Sequence, residues 1–239
     1  MQPFGRIRQI EFAGEDGLIL YALGESLPEK NAVVQQVASA ISAQSYPWLI
    51  EVVPSYDSVM LVFDMFQVDH HHVYQALLAL PLVSDSDHHP AQHHCLPVWY
   101  SAPQANDLGK IAGITGLTER QIVEMHTSAT YKAFAVGFAP GFAYLGEINT
   151  ALSVPRMAKP RTKVPAGAVA IADRQTAVYP SKSPGGWHLL GLCPVPLYRP
   201  EDNASVLINA GDTVSFEAVS RESFIEIASQ HNFEWDVHA

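Results

Sequence analysis

The chain has 239 residues, 48% hydrophobic and 16% charged, with 24 acids against 14 bases and a formal net charge of −10. Such a length carries one large or two small domains, and such a composition describes a soluble globular protein. The acidity excludes a broad nucleic-acid-binding face, no apolar run reaches the ~18 residues of a membrane span, and Cys95 and Cys193 are too few and too far apart for a disulfide framework. The first residues, MQPFGRIRQIEFAGEDG, lack the apolar run of a signal peptide, which predicts a cytoplasmic protein.

Residues 1–85 read as an α+β domain. Arg6–Phe12 and Leu18–Leu23 pair as strands around the Gly14–Gly17 turn. Ser26 or Pro28 opens an amphipathic helix with Val33, Val37, Ala40 and Ile41 at helical spacing, and Tyr46-Pro47 ends it. Trp48–Pro54 and Ser58–Phe63 form a second strand pair, and Val73, Leu77, Leu78 and Leu80 mark a second helix stopped by Pro81. With His94–Tyr100 as a last strand, this order suits helices packed on one face of an antiparallel sheet.

Residues 86–97 read as a His- and Pro-rich linker, and 98–239 as a mainly-β domain led by two short helices, Gln104–Gly113 and Thr118–Thr127. Thr118 and Gln121 have capping-box spacing. From Tyr131 on, Pro and Gly punctuate short apolar runs at Phe134–Val136, Val169–Ala172, Ala177–Tyr179, His188–Leu192 and Thr213–Phe216, a pattern of a closed or nearly closed barrel. Met157–Lys163 is too charged for core strand and reads as a loop across the barrel; Ser223–Ser229 fits a helix or a strand.

The charge distribution marks the site. Between Ile148 and Pro200 a single acid, Asp173, faces seven bases: Arg156, Lys159, Arg161, Lys163, Arg174, Lys182 and Arg199. Arg156, Arg161 and Lys163 share one Pro-stiffened segment suited to holding an anion, since arginine offers a planar fork and proline lowers the entropy lost on binding; the alternative is a solvated loop paired with acids elsewhere. In SPGGWHLLG, Gly185 and Gly186 permit close backbone approach, either as a tight turn or as amides aimed at an oxyanion, with His188 beyond. Phe142 and Tyr144 can wall a flat small molecule. Gln175 and Tyr179 can hydrogen-bond an amide or satisfy the barrel backbone. Seven of the eleven histidines fall between Asp69 and His94, but without ligand spacing, so no metal site is expected. There is no P-loop, no GxSxG elbow and no nucleophilic triad.

GFAPGFAYLG, PRTKVPAGAVAIADRQTAVYP and SPGGWHLLG together resemble the hallmark segments of the allophanate hydrolase subunit 1 family, which includes the 5-oxoprolinase component PxpB and the kinase inhibitor KipI and is related to the carboxyltransferase region of urea carboxylases. The resemblance covers essentially the whole chain. It implies a cyclophilin-like barrel after the α+β domain, a homologous subunit 2 (PxpC-like) and a third subunit (PxpA-like) as partners, and ATP-dependent opening of 5-oxoproline to glutamate, with ATP bound somewhere in the complex and the chain inactive alone. That reaction fits the residues read above: Gln175, Tyr179 and His188 are expected as catalytic groups, and Arg156, Arg161, Lys163, Phe142, Tyr144, Gly185 and Gly186 around the substrate. The family also implies two alternatives: a KipI-like protein that binds and inhibits a sensor histidine kinase, or a subunit of a related amide hydrolase such as allophanate hydrolase. Two stretches depart from the family pattern: LPVWYSAPQAND lacks a usual Gly-rich turn, and DRQTA stands where GGQTG is usual.

Overall fold

The computed structural model describes residues 1–80, 91–201 and 205–235. The chain divides into two compact units, Met1–Ala91 and Gln92–Ala239.

In the first unit, β1 (Ile7–Phe12), β2 (Gly17–Ala22), α1 (Leu27–Ala43), β3 (Leu49–Pro54), β4 (Ser58–Phe63) and α2 (His70–Leu78) follow one another. The strands form one antiparallel sheet in the order β1-β2-β4-β3. Ser26 caps α1 by accepting from the Glu29 amide, a bond of ~1 kcal/mol. Val33, Val34, Val37 and Ile41 of α1 meet Leu18, Leu20, Val59, Leu61 and Phe63, the inward set of two alternating strands.

The second unit holds β5 (His93–Tyr100), α3 (Leu108–Thr115), α4 (Glu119–Thr127), β6 (Thr130–Val136), β7 (Ala143–Gly146), β8 (Arg161–Val164), β9 (Ala168–Ala172), β10 (Gln175–Val178), β11 (Ser183–Gly185), β12 (His188–Leu192), β13 (Tyr198–Arg199), β14 (Ser205–Val206), β15 (Thr213–Ala218) and α5 (Arg221–Gln230). Seven strands close a barrel in the order β10-β7-β6-β15-β5-β12-β9. The β8–β11 ribbon stands apart from it, as does β13–β14.

Several sequence expectations are redrawn here. The expected linker at 86–97 falls partly outside the described residues, but from His93 the chain is already barrel strand. The strand expected to finish the first sheet is β5, which pairs in parallel with β15 and antiparallel with β12. The loop expected at Met157–Lys163 ends in β8, and the undecided C-terminal segment is a helix capped by Ser220. The Thr118–Gln121 capping box is present.

Strand alternation builds two apolar layers. Val169, Ile171, Val178 and Leu190 point into the barrel with Leu96, Val98, Tyr131, Val214 and Phe216. Ala168, Ala170, Ala172, Ala177, Tyr179 and Leu189 point outward, into a second layer with Phe142, Trp187 and Phe224. That outer layer carries the site.

Candidate functional site

The small outward alanines of β9 and β10 leave room for large rings from neighbouring segments. Phe142 sits at the centre of these rings, with its centroid 4.9 Å from Tyr144, 5.3 Å from Tyr179 and 5.8 Å from Trp187, each edge-on. Phe138 closes the group 5.2 Å from Phe142. Between these rings, Arg156, Met157, Pro160 and the Pro184–Gly186 turn lies a cavity of about 160 Å³. It is smaller than the ~300–1,000 Å³ of drug-sized sites, a scale that suits a small molecule. Among the described residues no acid lines it. Its charge is the Arg156 guanidinium, 5.7 Å from the Trp187 ring centroid and 4.0 Å from Asp173 Oδ2.

Tyr179 supplies the polar group of the floor. Burial raises its pKa, and nearby Arg156 and Arg161 only partly oppose the shift, so the phenol stays protonated at neutral pH. Its hydroxyl fills the space where a Cβ on residue 185 would stand, which requires glycine there. The Gly186 carbonyl accepts from the Met157 amide at 2.7 Å, tying the Arg156 loop to the glycine turn.

Behind the cavity Asp107, 2% exposed, collects Arg161 Nη2 on both carboxylate oxygens (2.6 and 2.5 Å), Lys110 Nζ at 2.8 Å and the Leu189 amide at 2.9 Å. Burial alone would raise its pKa; the Leu189 amide, Lys110 and Arg161 outweigh burial and hold it below the ordinary carboxylate value. Arg161 Nη1 also donates to the Trp187 carbonyl at 3.2 Å. The pair therefore fixes the backbone of the Gly185–Trp187 turn.

Of the ten residues expected from sequence, Phe142, Tyr144, Arg156, Tyr179, Gly185 and Gly186 line the cavity. The other four do not. Arg161 is committed to Asp107 rather than free to clamp a ligand. Lys163 lines a second, larger cavity. His188, 6% exposed, lies 3.1 Å through Nε2 from the Pro155 carbonyl, so it holds the base of the Arg156 loop. Gln175 shares the outward register of Ala177 and Tyr179, but lies beside the β9–β10 turn, outside the lining. The sequence reading missed Asp107, Trp187, Phe138 and Pro160. For Asp107 a signal existed: an acid standing just before the apolar helix LGKIAGIT.

The DRQTA departure falls on the β9–β10 turn. Asp173 takes φ +51°, a left-handed conformation that glycine adopts freely and aspartate tolerates. It thereby sets a carboxylate beside Arg156. In SAPQAND, Ser101 takes φ +62°, and the stretch ends on the Asp107 that binds Arg161.

A short buried polar chain runs through the apolar core of the second unit. Thr176 donates to the Ala170 carbonyl at 3.1 Å, so it accepts from His126 Nε2–H at 2.9 Å, and His126 Nδ1 accepts from the Tyr100 hydroxyl at 2.6 Å. Burial lowers the His126 pKa to about 3. Among the described residues no group of three metal-ligating side chains occurs, and no helix is long and apolar enough to cross a membrane; His88 and His89 lie outside the described residues.

Residues 8–208 match the carboxyltransferase domain, subdomain C and D. The chain belongs to that family. It is 32% identical over 237 residues to the 5-oxoprolinase B-type subunit of Bacillus subtilis, covering 94% of this chain and 98% of the relative. The solved structure of TTHA0988 superposes with a TM-score of 0.76 at 34% identity, covering 85% of this chain; this chain spans 39% of that one. Urea carboxylase of Kluyveromyces lactis shares the fold, with a TM-score of 0.74 at 16% identity over 93% of this chain and 23% of that one.

Proposed function

We propose that this chain is the B-type component of a 5-oxoprolinase, acting with a homologous subunit 2 and a third subunit to add water across the lactam C–N bond of 5-oxoproline, giving L-glutamate at the expense of ATP. The observation that carries this reading is the near-full-length match to the Bacillus subtilis 5-oxoprolinase component. The cavity supports it: 5-oxoproline is a small, flat carboxylate, and an acid-free aromatic box with one arginine at its edge fits that chemistry. Arg156 takes the carboxylate, Phe142, Tyr144 and Trp187 sandwich the ring, and the protonated Tyr179 hydroxyl donates toward the lactam. The Gly185–Gly186 backbone approaches the carbonyl, held in place by Asp107 and Arg161. His188 and Gln175 act on the surrounding loop and turn rather than on substrate. The lack of a P-loop and of a nucleophilic triad accords with chemistry shared across subunits and with a chain inactive alone.

The test is Arg156→Ala in the reconstituted complex. A charge-assisted hydrogen bond is worth ~1.5–3 kcal/mol, so kcat/KM for 5-oxoproline should fall about 10- to 100-fold, with subunit assembly intact. Unchanged kcat/KM would remove Arg156 from the site. Arg161 is left in place in this test, because its loss strands Asp107.

A further inference from the structure

We propose that the larger cavity is a second binding site, for a phosphorylated small molecule that carries a flat ring, of the nucleotide class. The cavity measures about 550 Å³, more than three times the smaller one and within the ~300–1,000 Å³ of small-molecule sites. Lys163, Lys182 and Glu234 line it, with Leu192, Pro165 and Trp235 as apolar surface.

The ion pairs of the basic segment make the case. Arg156, Arg161 and Arg174 each have a carboxylate, at 4.0, 2.5 and 3.2 Å. Among the described residues Lys159, Lys163, Lys182 and Arg199 have none; of these four only Lys163 and Lys182 line either of these cavities, and Glu234 lines theirs as well. Two ammonium groups lining one cavity together favour an anion there. A phosphate ester carries about −1.5 to −2 charges at neutral pH, matching both lysines, which bind phosphate as point charges; a lone carboxylate matches only one. The Trp235 indole, packed edge-on 5.1 Å from Phe224 and 5.9 Å from Trp99, offers a flat apolar wall for a ring.

The position of the site adds a consequence. The β8–β11 ribbon walls both cavities: Pro184 and Gly185 face the small one, and Lys163, with Lys182 just before β11, faces the large one. An occupant of the large cavity therefore bears on the strand pair that forms one side of the small cavity. The proposal does not rest on the reaction assigned to the small cavity.

The test is calorimetric titration of the isolated full chain with ATP, adenosine and tripolyphosphate. Expected are saturable ATP binding, a loss of about tenfold or more in affinity in the Lys163→Ala/Lys182→Ala variant at unchanged melting temperature, and no loss in Arg156→Ala. Adenosine and tripolyphosphate should each bind about tenfold or more weaker than ATP. The proposal is overturned by no saturable binding at millimolar ATP, by full binding in the lysine variant, or by loss of binding in Arg156→Ala. Tripolyphosphate binding as tight as ATP would also overturn it, because the indole wall would then contribute nothing.

Discussion

Removing Arg161 should unfold the barrel unit more readily than any other single change at the site's edge. Asp107 has a side chain only 1% exposed, whereas Arg161 is 24% exposed, so Arg161→Ala leaves a carboxylate in the interior and admits little water to it. Breaking a buried pair from one side costs ~3–5 kcal/mol. Lys110 Nζ and the Leu189 amide remain on the carboxylate, which places the cost near the lower bound, ~3 kcal/mol. For a unit of this size each kcal/mol shifts the midpoint by ~2–4 °C, so the expected fall is ~6–12 °C, read by calorimetry on the full chain. The paired variant Asp107→Leu/Arg161→Met removes both charges and should recover most of that loss, as buried pairs replaced by apolar groups often do. A single variant within ~1 kcal/mol of the parent, or a double variant no better than the single, would refute the buried-pair reasoning. The acid side follows from the sign of the shift: the folded Asp107 carboxyl has a lowered pKa, so its stabilisation is complete above the unfolded value near 4 and is lost as pH falls through the folded one.

Gly185→Ala should lower the melting temperature, because its methyl overlaps the Tyr179 hydroxyl and crowds the ring carbons behind it at 2.9 and 3.0 Å; adding Tyr179→Phe should recover only part of that loss, and full recovery would show that the hydroxyl alone dictates glycine there. His126 is held neutral by burial with a pKa of about 3 against an unfolded value near 6.5, so stability should decline progressively as pH falls from about 6.5 toward 3. His126→Gln should abolish that part of the pH dependence in urea titrations between pH 4 and 7; an unaltered profile would show that the histidine is not the titrating group.

Much of the architecture was legible where local signals agree. α1 announces itself through Ser26, Pro28 and its apolar spacing, and β4 through strict alternation, and both formed within a residue or two of expectation. β5 also formed within a residue of its expected bounds, but in the barrel rather than the first sheet, because HHCLPVWY alternates equally well for either. Its partner β15 lies over a hundred residues away, a pairing no local pattern encodes. The site divided in the same way. Phe142, Tyr144, Tyr179 and the glycines were readable because aromatic rings and paired glycines in one segment have few other uses. Arg161 and Arg156 look alike in sequence, and only the placement of Asp107, 54 residues from Arg161, separates the structural arginine from the one at the cavity. Lys163 stands close to both along the chain, yet it lines the other cavity.

The most direct test is the release of L-glutamate from 5-oxoproline in the presence of ATP by the co-expressed partner subunits, with this chain omitted or added. The account predicts turnover only when all three chains are present. Equal turnover without this chain, or none from an assembled complex that contains it, would contradict its assignment as a 5-oxoprolinase component.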